Sequence, residues 1–278
     1  MSQETISAAE NPALAQKLIQ AALSGQMDGS YEEPQVEEPM KIVAPPSDEV
    51  ELIAGIYNAF TGEMTKTATI RELTGVDEEA FAKISDYGRV ILAILQRGTV
   101  RIGSENASQE LLDSLLTGDR ELLTMKIRVA TFGKDLELIG SCPHCESEQT
   151  FSVDLEKDVE IVGMDEPTVR SFTVQCKVGE VEVEYPNGAL QRKLIGSSDK
   201  TAAELDTILL KGCINSINGM PLVNPDDVKK LGILDRRTIL MAINERNPGP
   251  NLAGVKKNCS SCGLEVPIPL TLADLFRL

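Results

Sequence analysis

Two Cys-x-x-Cys turns, Cys142-Pro143-His144-Cys145 and Cys259-Ser260-Ser261-Cys262, lie 117 positions apart in the sequence. The residues around them match as well. Downstream, Phe151, Val153 and Leu155 alternate as Ile268, Leu270 and Leu272 do. Upstream, Asp119-Arg120-x-x-Leu123-x-Met125-x-Ile127 mirrors Asp235-Arg236-x-x-Ile239-x-Met241-x-Ile243. Arg97-Gly98-Thr99-Val100 pairs with Lys211-Gly212-Cys213-Ile214, and Arg71-x-Leu73-x-Gly75 with Arg192-x-Leu194-x-Gly196. Five matches in one order, at nearly constant offset, predict a tandem duplication.

Each unit is expected to follow one plan. It opens with a β-hairpin: Val181–Tyr185, a Pro186-Asn187-Gly188 turn and Ala189–Ile195 in the second copy, and a longer-looped hairpin within Val50–Leu73 in the first. A helix follows, near Glu78–Gln96 or Ala202–Asn215. A second helix is expected to take Asp119 or Asp235 as its N-cap, where a carboxylate accepts free backbone N–H groups. Pro248-Gly249-Pro250 ends that helix in the second copy. A strand, a Cys-x-x-Cys turn and another strand close the unit. The predicted fold class is α+β, with residues 41–160 and 170–278 as the two repeats.

Cys-x-x-Cys between two strands is the zinc-knuckle pattern, and two knuckles supply the four thiolates that tetrahedral zinc prefers. The flanking strands are expected at Leu136–Ile139 and Phe151–Leu155, then at Val255 and Val266–Leu270. Gly263, after Cys262, supplies the residue that most easily takes a positive φ. The reading is one structural zinc per chain on Cys142, Cys145, Cys259 and Cys262, the two repeats each giving half of a ribbon. Two half-sites completed by another subunit remain the alternative. Redox use would need the first Cys at a helix N-terminus, whereas both pairs precede a strand pattern. His144 is expected to face solvent, and Cys176 and Cys213 to be buried thiols.

Composition narrows the function classes. The single histidine leaves no room for a zinc site built on two or three His, and no phosphate-binding glycine loop is present. Clustered carboxylates such as Asp77-Glu78-Glu79 and Asp226-Asp227 read as helix starts or polar faces, so no catalytic residue is assigned and a non-enzymatic role is expected. Against 43 Asp and Glu stand 27 Lys and Arg, a net charge of −16. Trp is absent and aromatics are 4%. Both features argue against nucleic-acid binding. A zinc-ribbon nucleic-acid or polymerase-binding factor is the alternative, and would use Lys256-Lys257 beside Cys259. Neither a secretory leader nor a membrane span is predicted. Residues 1–40 differ from the rest: a short amphipathic helix over Asn11–Gly25, with Leu14, Leu18 and Ala22 on one stripe, precedes an acidic linker over Asp28–Glu38. Docking of that helix on a neighbouring subunit is one expectation; folding back onto its own domain, or fraying, is the alternative.

The stretch from Asp235-Arg236-Arg237 to Asn247-Pro248-Gly249-Pro250, the Cys259-Ser-Ser-Cys262-Gly263 knuckle, the Val266–Leu272 strand and the closing Asp274-Leu275-Phe276-Arg277-Leu278 resemble the baseplate hub protein or hub-assembly chaperone family of contractile-tailed phages. The likeness spans about Arg170–Leu278 well and about Lys41–Leu155 more weakly. Glu146 stands where that family usually has glycine. The resemblance implies a baseplate component or assembly factor whose partners are other phage tail proteins. It also implies a place in the tail baseplate, or in the host cytoplasm during assembly.

Overall fold

The structure, a computed structural model, describes residues 46–276 and, ahead of them, only Gln16 and Gln20. Apart from those two glutamines, the helix expected over 11–25 lies outside the described residues, as do the acidic linker and the last two residues.

The first sheet is antiparallel throughout and runs in the order β1-β2-β3-β4: Ser47–Asn58, Glu63–Arg71, Thr99–Ile102 and Glu105–Asn106. Helices α1 (Gly75–Phe81) and α2 (Tyr87–Gly98) connect β2 to β3. The sequence pattern suggested one helix over Glu78–Gln96. It is broken because Asp86 turns its side chain onto the Arg89 N–H, at 2.9 Å, and starts a new helix. After β4 come α3 (Gln109–Ser114) and α4 (Thr117–Phe132), then the hairpin of β5 (Asp135–Ser141) and β6 (Glu148–Asp154).

A short strand, β7 (Ile161–Val162), leads to a second four-stranded sheet. Its strands are β8 (Ser171–Cys176), β9 (Gly179–Glu184), β10 (Ile214–Ile217) and β11 (Met220–Pro221), neighbours in chain order as in the first sheet. Again two helices, α5 (Gly188–Ile195) and α6 (Ala202–Cys213), connect the second strand to the third. A 3-10 turn (Pro225–Lys230) and α7 (Ile233–Arg246) follow β11. Then come β12 (Gly249–Pro250), which pairs with β7, the hairpin of β13 (Lys256–Asn258) and β14 (Glu265–Pro267), and the short α8 (Leu272–Leu275). The class is α+β.

Two expectations are corrected here. The second-copy hairpin is formed by β8 and β9, whose turn lies at Lys177-Val178, and Ala189–Ile195 is helical. Asn187 accepts the Leu190 N–H at 3.0 Å, and Leu190 and Leu194 share one helical face, so Pro186-Asn187-Gly188 opens a helix instead of closing a hairpin. Asp119 and Asp235 are not N-caps: Leu116 and Gly232 hold those positions, and each aspartate sits at the third helical residue.

Both aspartates bond to the hairpin of their own half. Asp119 accepts the N–H groups of Ile53 (2.6 Å), Ala54 (3.3 Å) and Gly55 (2.8 Å), where β1 breaks register with β2 between Glu51 and Ile56. A bulge leaves backbone donors unpaired, and the buried carboxylate takes them up. Gly55 is required there. It holds φ +65°, and a Cβ would come within 2.3 Å of the Thr65 carbonyl oxygen. Asp235 accepts Lys177 N–H (2.9 Å) and Val178 N–H (3.2 Å) in the β8–β9 turn. The following arginines also match. Arg120 reaches the Leu112 carbonyl (2.6 Å) and Arg236 the Val228 carbonyl (3.3 Å), each eight residues upstream.

The hydrophobic core does not follow these halves. One cluster joins Val50, Leu52, Ile70, Ile94, Leu123 and Ile127 to Leu252, Val255, Leu270 and Leu275 from the end of the chain. A second holds Val174, Val181, Val183, Leu210, Cys213, Ile239 and Ile243. Arg128 ties the last helix into the first cluster by donating to the Leu275 carbonyl at 2.9 Å. Residues 45–278 accordingly form one compact unit.

Candidate metal centre

The two knuckle turns are built alike. In the first, Glu146 N–H donates to the Cys142 carbonyl (2.9 Å) and Cys142 N–H to the Ser147 carbonyl (3.0 Å). In the second, Gly263 N–H donates to the Cys259 carbonyl (2.9 Å) and Cys259 N–H to the Leu264 carbonyl (2.9 Å). This closure forces a positive φ on the residue after each second cysteine, +73° at Gly263 and +58° at Glu146. Glycine suits that conformation and glutamate does not. The N–H two residues past the first cysteine points at its sulfur in both turns, 3.4 Å from His144 N to Cys142 Sγ and 3.4 Å from Ser261 N to Cys259 Sγ.

The turns face each other, and the sulfurs of Cys142, Cys145, Cys259 and Cys262 all lie within 4.8 Å of one another. Cys142 Sγ is 3.7 Å from Cys262 Sγ, and Cys145 Sγ is 3.7 Å from Cys259 Sγ. A disulfide needs about 2.05 Å, whereas a tetrahedron with metal–sulfur bonds of about 2.3 Å has edges of about 3.8 Å. The donor set and its spacing therefore fit zinc. All four ligand candidates come from one chain, so completion by a second subunit is not needed. Phe151 and Val266 pack with Cys142 and Cys259 in a small apolar cluster that shields one side.

Hydrogen bonds across the two turns fix their orientation. Gln149 on β6 donates to Cys259 Sγ at 3.0 Å and accepts from Ser260 N–H (2.9 Å) and Ser260 Oγ (2.6 Å). The Ser147 hydroxyl lies 3.2 Å from Cys145 Sγ. His144 is exposed, but its Nε2 reaches the Glu265 carbonyl at 3.2 Å, so the ring bridges the hairpins and is not a sulfur-site ligand. These partners have no periodic signature, and the sequence did not single out Gln149 or Ser260.

The thiols are electrostatically unequal. The Cys262 N–H, with Ser147, Ser261 and Gln149, outweighs desolvation and brings Cys259 down to about 5. The Ser147 hydroxyl and N–H lower Cys145. Cys262 accepts the Leu264 N–H, which favours its thiolate. Burial and the three neighbouring sulfurs nevertheless push it up to about 12. Four sulfurs this close could not all ionise without a counter-charge between them, and a divalent cation would supply it. The other two cysteines stand apart. Cys213 is buried and its thiol is raised to about 12 by burial, whereas Cys176, at the end of β8, is only half-buried and not fully buried as expected.

Comparison with protein families finds that the model for T4 bacteriophage base plate protein matches residues 58–230. The chain belongs to that family. The matched stretch begins at the last residue of β1, takes in β2 to β4 of the first sheet, the first knuckle and the second sheet, and stops ahead of α7 and the second knuckle. The resemblance read from the sequence is strongest further on, over about Arg170–Leu278. No curated protein and no solved structure matches the chain. Among the described residues no helix is long and apolar enough to cross a membrane.

Proposed function

We propose that this phage baseplate protein is a non-catalytic building or assembly component, made of two duplicated units stapled by one structural zinc on Cys142, Cys145, Cys259 and Cys262. The convergence of four sulfurs from positions 117 apart carries the reading. Support for the duplication comes from the shared order of elements, the matching knuckle hydrogen bonds and the paired Asp-Arg contacts. Structural zinc held by four thiolates closes the site and leaves no open position for a substrate. It would anchor the C-terminal knuckle hairpin, whose flanking residues complete the first hydrophobic cluster.

Residues 41–160 and 170–278 are then repeats that share a core. The stapled body offers its exposed surfaces to other tail proteins, in the virion baseplate or during its assembly, and the N-terminal stretch docks on a neighbouring subunit. The nucleic-acid alternative loses its basic pair, because Lys256 is bonded to Glu265 (2.8 Å) and Lys257 to Asp158 (2.5 Å).

Affinity capture of the full chain from infected cells tests this function. The wild type is expected to recover other tail proteins, and a Cys142→Ser/Cys259→Ser variant to lose them. Equal recovery by both would contradict the role given to the staple.

A further inference from the structure

We infer that the exposed face of α7 is a self-association surface, on which a second copy of this chain packs its own α7 in antiparallel register centred on Met241. Asp235, Ile239 and Ile243 form the buried face of the helix. On the other side, Leu234, Arg237, Met241 and Glu245 fall within about 80° of arc, since each residue advances about 100°. All four are exposed, Leu234 at 57% and Met241 at 61%, and Ile233 beside them is 72% exposed. Such apolar side chains, alongside an arginine, resemble the centre of an interface.

The charges choose the occupant. Among the described residues neither Arg237 nor Glu245 has an ion-pair partner. They stand four residues before and four residues after Met241. An antiparallel pair related by a two-fold axis at Met241 sets Arg237 of each copy against Glu245 of the other, two charge-assisted pairs at once. A parallel pair would instead oppose like charges. Met241 on Met241 at the centre gives an adaptable apolar contact at ordinary helix–helix spacing.

The matching face in the other half is covered. In α4, at the same offset, Met125 is 1% exposed, and Gly118 packs so closely on Pro248 and Gly249 that a Cβ would strike the Pro248 carbonyl. On α7 the larger Leu234 replaces Gly118, and among the described residues no segment covers it. This comparison rests on the duplication proposed above. The charge pattern does not.

Sedimentation velocity of the full chain over about 1–100 µM tests the surface. A single helix face is small, so dissociation on the order of 10 µM is expected. Met241→Glu should weaken the dimer by at least about tenfold, and Arg237→Glu by a similar factor, while Arg237→Glu/Glu245→Arg restores it. Circular dichroism and zinc content of the same samples separate loss of the dimer from loss of the fold or the staple. A monomer at every concentration, a dimer indifferent to Met241→Glu, or a double variant no tighter than Arg237→Glu would each overturn the inference.

Discussion

Asp77 shows how a single carboxylate anchors one corner of the first half. Its side chain is 1% exposed and is held by Arg71 (2.8 and 3.0 Å), Arg97 (3.0 Å) and the Thr74 N–H (2.9 Å). Burial alone would raise its pKa. The two guanidinium groups and the Thr74 bonds outweigh burial and hold it well below the usual carboxylate range. A depressed folded pKa means the native state resists protonation. Its contribution is therefore complete above the unfolded value of about 3.9, and is lost as pH falls below that toward the folded one. Asp77→Asn should cost about 3 kcal/mol at neutral pH, because it leaves two arginines without their shared anion. The gap to wild type in urea unfolding should narrow steadily from about pH 5 to pH 2. A gap independent of pH would show that the carboxylate charge is not what matters.

The knuckle turns give a second residue-scale test. Glu146→Gly should gain about 0.5 kcal/mol and Gly263→Ala should lose about 1 kcal/mol, as each moves a left-handed position toward or away from glycine. A loss on Glu146→Gly would mean that its side chain makes a stabilising contact that outweighs the backbone strain.

At the scale of elements, the strands of the first knuckle and α6 were legible because their signals are local, alternation beside a Cys-x-x-Cys or an apolar stripe at helical spacing. The strand expected over Val266–Leu270, by contrast, ends at Pro267, and Leu272 opens a helix. The β8–β9 hairpin and the opening of α5 were misread. Pro186-Asn187-Gly188 carries strong turn chemistry, but asparagine is equally a helix N-cap residue, and here its side chain takes the Leu190 N–H three residues on, so two local signals compete on the same residues. Asp119 and Asp235 were marked by the sequence as equivalent. Their true partners lie 57 to 66 residues away and have no local trace. The crossing of the C-terminal segment into the first cluster was likewise invisible, since hydrophobic periodicity gives burial but not the partner. Leu275→Ala, far from β1 in sequence, should cost about 3 kcal/mol. Hydrogen exchange should quicken in β1 and β2 before it does in β8 and β9. The reverse order would contradict the shared core.

Across the whole molecule, the α+β body of residues 45–278 is closed by a contact between hairpins more than a hundred residues apart. The sequence indicated all four cysteines and their common chemistry. It could not show the Gln149 and His144 bridges that orient the hairpins, because these depend on side chains meeting across the site. If one metal serves both turns, Cys142→Ser and Cys259→Ser should destabilise to a similar extent in thermal unfolding, since each removes one ligand of the same ion. Chelation should then reduce wild type to the level of the variants. Strongly unequal variants would mean that the two turns act separately.

Native mass spectrometry of the full-length protein tests the central claim most directly, by counting metal against chains. The account predicts one zinc per chain, retained in monomer and dimer alike and lost in Cys142→Ser and Cys259→Ser. Protein that binds no zinc at neutral pH with its thiols reduced would contradict it.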